Sequence, residues 1–168
     1  MPRGVMNGGD AGIDILNGSA GNFTFGTDTS IASPSGTAFN LSNSTATVTY
    51  NGSIVQVNNA ALLSILNHSG GTITFQTATL DALSGTGLQF ENADGTYNFL
   101  GVVSLNGGDA GIDIFNGSSG SISLSNATIA SPTGVAINVS DSTASLTYNG
   151  NINKSNSAAL LSGVNHST

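Results

Sequence analysis

The chain has 168 residues, 23 of them Gly and none of them Cys or Trp, and only 7% of it is charged, against about 25% in an average domain. With two basic residues, Arg3 and Lys154, and a net charge of −7, it has no electrostatic footprint for nucleic acid and is ill suited to heparin or anionic lipid. The absence of Cys excludes a disulfide or thiolate–metal framework, and no apolar run approaches the ~20 residues needed for membrane insertion. Met1-Pro2-Arg3-Gly4-Val5 carries one charge and no apolar stretch behind it, so it does not read as a signal peptide.

The elements recur in a fixed order. The first is the apolar–polar–apolar triplet Ile13-Asp14-Ile15, closed by Asn17. Next come Phe23-Thr24-Phe25 and a weaker triplet centred on Ile31. The order then repeats: Phe39-Asn40-Leu41, Val48-Thr49-Tyr50 and Ile54; Leu63-Ser64-Ile65, Ile73-Thr74-Phe75 and Leu80; Leu88-Gln89-Phe90, Tyr97-Asn98-Phe99 and Leu105. Two further rounds follow, through Ile112-Asp113-Ile114, Ile122-Ser123-Leu124 and Ile129, then Ile137-Asn138-Val139, Leu146-Thr147-Tyr148 and Ile152. Each triplet has the period of a half-buried strand, and Gly, Asn and Ser punctuate between them.

An Asn or Asp closes every first triplet, at Asn17, Asn43, Asn67, Asn92, Asn116, Asp141 and Asn165, at intervals of 24 to 26 residues. A longer period lies over this one. Asn7-Gly8-Gly9-Asp10-Ala11-Gly12-Ile13-Asp14-Ile15 returns 99 residues later, and Thr49-Tyr50-Asn51-Gly52 returns 98 residues later. The chain therefore reads as one domain, 1–168, made of a long repeat over 7–105 and a partial second copy over 106–168. A copy that stops part-way suggests a piece of a longer array.

Three short strands per coil of about 24–25 residues predict an all-β fold. It is a single-stranded right-handed parallel β-helix, or β-solenoid, of six to seven coils and no helix. At ~4.8 Å per coil the rod is on the order of 30 Å long. The strings Asn-Gly-Gly-Asp-Ala-Gly-Ile-Asp-Ile, Gly-Thr-Ala-Phe and Thr-Val-Thr-Tyr-Asn-Gly, with an Asn at each corner, resemble the parallel β-helix repeats of large bacterial surface proteins. Autotransporter passengers and filamentous haemagglutinin-like β-strand repeat proteins share this style. The resemblance implies an extracellular or cell-surface, non-catalytic rod or adhesin segment that needs no cofactor. It also implies that Asn17, Asn43, Asn67, Asn92, Asn116 and Asn165 stack as a hydrogen-bonded ladder, from which Asp141 departs. A carboxylate buried there would be costly unless paired.

Polysaccharide cleavage on such a fold needs carboxylates on adjacent coils. The outward positions of the first triplets read Asp14, Asn40, Ser64, Gln89, Asp113, Asn138 and Ser162, so Asp14 and Asp113 are four coils, roughly 19 Å, apart. His68 and His166 each adjoin a Ser without an orienting acid in phase, and read as corner residues. Gly8-Gly9-Asp10 and Gly107-Gly108-Asp109 resemble the Ca²⁺-binding turns of β-roll repeats. Their wide separation leaves each site half built, so they read as tight turns; Asp10, Asp14, Asp109 and Asp113 are the only sensible ligands. A file of small polar residues flanks the second triplets. It includes Thr24, Thr47, Thr49, Thr72, Thr74, Thr96 and Thr147 and is the candidate face for a neutral glycan or ice, although Thr also suits any exposed strand. Leu16, Leu66, Phe115 and Val164 follow the first triplets in alternate coils and are expected to fill a corner of the core. Uncapped strand edges predict head-to-tail self-association.

Overall fold

The computed structural model describes residues 4–10, 12–109 and 111–167. Arg3, and the Ala11 and Ala110 of the two Gly-Gly-Asp motifs, lie outside the described residues. The alternating triplets form three files of parallel strands, with no helix among the described residues. The first file is a seven-stranded sheet of Ile13–Leu16, Phe39–Ser44, Leu63–His68, Gly87–Ala93, Gly111–Phe115, Ile137–Ser142 and Leu161–His166. These strands number the coils one to seven. Asn22–Phe25, Thr47–Tyr50, Thr72–Phe75 and Thr96–Phe99 build the second file. Val5–Asn7, Ser30–Ala32, Ser53–Gln56, Thr79–Ala82 and Val102–Asn106 build the third. In coils five and six the second and third strands merge into Ser121–Ala130 and Ser145–Asn153, whose pairing shifts register between Leu124 and Ala127. The all-β solenoid expected from the spacing is therefore present, with about seven coils.

Parallel pairing carries one residue type onto its equivalent. In the first file Ile13, Phe39, Leu63, Leu88, Ile112, Ile137 and Leu161 form one inward column. In the second, Phe25, Tyr50, Phe75 and Phe99 stack at ring separations of 5.8, 5.8 and 5.0 Å. Phe39 meets Tyr50 and Phe75 edge-on across the lumen, and Phe90 meets Phe99 in the same way. Such aromatic pairs add about 0.5–1.5 kcal/mol each beyond the area they bury.

The third file corrects the sequence-derived register. Leu105, Ile129 and Ile152 do stack, but their column continues into Ala82 and the buried Gln56. Ile31, Ile54 and Leu80 continue instead into Val103 and Ala127. Two columns face inward along each strand, so alternation alone does not resolve a slip of two residues. The side chains after the first triplets are a second correction. Leu16, Leu66, Phe115 and Val164 occupy the outward phase, in one file with Ser42, Glu91 and Ser140. Leu16 and Val164 are exposed, at 38% and 52%, because the inward places on either side are already taken by the alternation.

The corners depend on a left-handed backbone. Asn17, Asn43, Asn67, Asn92, Asn116, Asp141 and Asn165 all have φ between 47° and 52°, a conformation that Asn and Asp tolerate best among residues with a Cβ. Their side chains bond along the rod in stretches. The Asn67 amide donates to Asn43 Oδ1 at 3.0 Å, and Asn92 donates to Asn67 Oδ1 at 2.9 Å. The file then breaks, since Asn116 donates to Glu91 Oε1 and Asn43 to Ser42 Oγ. Asp141 is exposed and accepts from Asn165 at 2.8 Å, so no burial cost arises there.

Asn67→Ala should lower stability by about 1–2 kcal/mol through the strained corner and about 1 kcal/mol more for each amide bond lost. Asn67→Gly should lose only the amide bonds. Denaturant midpoints of the two variants check this; equal losses would remove the left-handed corner from the explanation.

Candidate functional site

Two outer surfaces carry the candidate residues. On the second file Thr24 pairs with Thr49 and Thr49 with Thr74, while Thr96 pairs with Thr72 and with Ser121. Thr147 continues the file beside Ser123. Thr47, Thr49, Thr72 and Thr74 are half-buried, whereas Thr24, Thr96 and Thr147 are exposed. Asn22, Asn98, Ser121, Ser123 and Ser145 take the place of Thr in the same registers, so the face is mainly hydroxyl-bearing, with amides at Asn22 and Asn98.

The Gly-Gly-Asp motifs have a packing explanation. Gly8, Gly9, Gly107 and Gly108 adopt φ from 57° to 80°, which accommodates the sharp turn. A Cβ on Gly36 would collide with the Asp10 backbone carbonyl, and one on Gly134 with the Asp109 carboxylate. The turn carbonyls are already used. Gly108 O accepts both the N–H and the hydroxyl of Thr133, at 2.8 and 2.9 Å, and Gly9 O accepts both from Ser35 at 2.7 Å. Both lone pairs of each oxygen are thereby taken from any cation. Among the described residues no group of three or more His, Asp or Glu is placed to hold a metal ion.

Asp14 and Asp113 differ in surroundings. Asp14 is exposed and accepts from Asn40 Nδ2 at 2.9 Å. Asp113 is half-buried in the wall of an open cleft of roughly 340 Å³, lined by Thr86, Gln89, Asp109, Phe115, Asn138 and Ser140 among others. Gln89 Nε2 donates to Asp113 Oδ2 at 2.7 Å and to Thr86 O at 2.6 Å. Burial raises the Asp113 pKa above the ordinary carboxylate range; hydrogen bonds from Gln89 and Asn138 oppose this, and the Asp109 charge reinforces it. Asp109, expected beside Asp113 only as a possible turn ligand, shares this cleft with it. Gln89, Asn138 and Phe115, which the sequence places in outward and apolar files without bringing them together, line it too. The usable signal was the outward file Gln89–Asp113–Asn138, two amides flanking an acid on consecutive coils.

His68 directly follows the left-handed corner at Asn67 and turns inward. It is fully buried, with Nε2 3.0 Å from Ala46 O and Nδ1 2.9 Å from Tyr97 Oη. A carbonyl can only accept, so Nε2 carries the proton and Tyr97 donates to Nδ1. Tyr97 Oη in turn accepts the Gly95 N–H at 3.1 Å. Burial lowers the imidazole pKa, with the Ala46 hydrogen bond and the Asp94 charge opposing. His166, the equivalent residue in coil seven, is exposed and reaches Ser142 O at 2.8 Å. A second internal strut escaped the sequence: Gln56 Nε2 donates to Gly36 O, and its repeat equivalent Lys154 donates through Nζ to Gly134 O.

No protein-family model, curated protein or solved structure matches the chain.

The unfolded chain takes up a proton on His68 that the folded chain refuses. Stability contributed by His68 is thus fully present above about pH 6.5 and is lost as the pH falls below it. The thermal midpoint should drop between about pH 7 and 5, and His68→Gln should flatten that slope; an unchanged slope would show that other groups cause it. Asp113 has the opposite sign, because its folded form keeps a proton to higher pH than its unfolded form. Asp113→Asn should raise the midpoint at pH 7 relative to the parent, and the gain should vanish below about pH 4.

Proposed function

We propose that the chain is a non-catalytic rod, a structural or adhesin-type repeat segment of an extracellular or bacterial cell-surface protein. The observation that carries this reading is the coil-to-coil register, which runs from Ile13 to Leu161 in one unbroken inward column. Such a stack transmits length and stiffness, because each coil contacts only its neighbours and the core is continuous along the axis. A surface rich in Gly, Asn, Ser and Thr and poor in charge suits a spacer that holds other segments apart.

Self-association along the axis is part of the same proposal. A coil stacked on coil seven, whether from a second copy or from the same chain, would cover Leu160 and Leu161, 53% and 63% exposed, as the next coil covers their repeat equivalents Leu62 and Leu63, 1% exposed. Covering a large aliphatic side chain gains about 1.5–3 kcal/mol. A second reading keeps the Thr face as a glycan- or ice-binding surface. It is favoured by the in-register positions of Thr49 and Thr74 on adjacent coils.

Three measurements test these proposals. Antibody against the chain should label the outside of intact producing cells, and the purified chain should release no reducing ends from a panel of polysaccharides; interior labelling or turnover would overturn the rod reading. Sedimentation should show mass rising with concentration, and Leu161→Lys should restore a monomer. Replacing Thr49 and Thr74 with Tyr should abolish any ice recrystallisation inhibition while circular dichroism stays unchanged; inhibition that survives would exclude that face.

A further inference from the structure

We infer that the cleft over coils four to six binds a neutral saccharide, independently of the rod reading and on a different face from the Thr file. Three outward residues on consecutive coils, Gln89, Asp113 and Asn138, line it in register, at steps of about 4.8 Å. Its volume, roughly 340 Å³, falls at the lower end of the range of small-molecule sites, about 300–1,000 Å³.

The chemistry of the walls selects the ligand. A carboxylate accepts about four hydrogen bonds. Gln89 and Asn138 supply donors to Asp113, which orients the group and leaves acceptor capacity for ligand hydroxyls. Asn116 and Ser140 add neutral polar groups at the rim. Phe115 is half-buried and lines the same cleft, so a ring face or edge of apolar surface lies beside the acceptors. Hydroxyls that need fixed acceptors, next to C–H surface that packs on an aromatic ring, describe a sugar. The repeat equivalent in coil one lacks this pairing, since Leu16 stands in place of Phe115 and Asp14 is exposed.

Other occupants fit less well. An anion would face Asp109 and Asp113 together. A cation would find the two carboxylates but, among the described residues, no third His, Asp or Glu beside them, and the adjoining Gly108 carbonyl is occupied by Thr133. A neutral polyol meets neither obstacle and keeps every internal bond.

The test titrates the purified chain with glucose, galactose, mannose, N-acetylglucosamine and their disaccharides, and follows the side-chain amide signals of Gln89, Asn116 and Asn138 by NMR. At least one sugar should shift these signals saturably. Phe115→Ala and Asp113→Asn should each weaken that sugar about tenfold or more, while Thr49→Tyr leaves it unchanged. Circular dichroism of the variants separates lost binding from lost fold, and Phe115→Leu provides a milder change that keeps apolar volume without the ring. Saturation with none of the panel up to 50-fold above typical millimolar affinities, or binding that survives Phe115→Ala and Asp113→Asn, would overturn the assignment. So would Ca²⁺ shifting the Gln89 amide where the sugars do not.

Discussion

Parallel backbone pairing at constant register is the constraint on which everything else in this chain depends. Each coil buries its inward side chains only because the coils above and below cover them, and each strand satisfies its backbone polar groups on those same neighbours. The corner that closes every first triplet must therefore fall at the same phase. A left-handed residue there turns the chain without lengthening the coil, and Asn or Asp supplies it at all seven corners, from Asn17 to Asn165. The amide bonds between Asn43, Asn67 and Asn92 add to this arrangement. The break at Asn116 leaves the backbone pairing of Gly111–Phe115 intact on both sides, so the backbone corner matters more than the side-chain ladder.

The interior is uniform but not purely aliphatic. The column Phe25–Tyr50–Phe75–Phe99 fills the wide part of the lumen, and the Tyr50 hydroxyl reaches out to Ser53 O at 3.0 Å. Tyr97 uses its hydroxyl inward instead, to hold His68. A buried imidazole is tolerable because both ring nitrogens find partners without a charge. Gln56 is buried on the same terms, between Gly36 O and the Asn58 N–H.

The exterior is freer. Nothing in the stacking dictates which side chains face out, so the outer columns drift in chemistry from coil to coil. Asp14 and Asp113 occupy equivalent positions, yet only Asp113 lies against Gln89, in a cleft with Phe115 and Asp109. Local chemistry on a repeat scaffold comes from such departures between copies, not from the repeat itself. The second-file Thr positions illustrate the opposite case, a regular surface interrupted by Ser and Asn.

The fold was legible in the sequence because its period is local: apolar alternation, a left-handed residue every 24 to 26 positions, and Gly where the chain turns or coils approach closely. Those features specify strands, corners and the number of coils without knowledge of any distant contact. Three things were not legible. A two-residue slip in the third file leaves the same alternation, so only the pairing of Leu80 with Val103 settles it. The outward phase of Leu16 and Phe115 followed from the alternation but conflicted with their apolar character. The cleft depends on which residues meet across coils 24 or 25 apart, as Gln89 meets Asp113. By itself the sequence determined a stacked parallel solenoid, because strand period and corner conformation are encoded within each coil. The tertiary structure alone decided the burial of His68, the register of the third file and the Asp113 cleft, because each arises from contacts between coils.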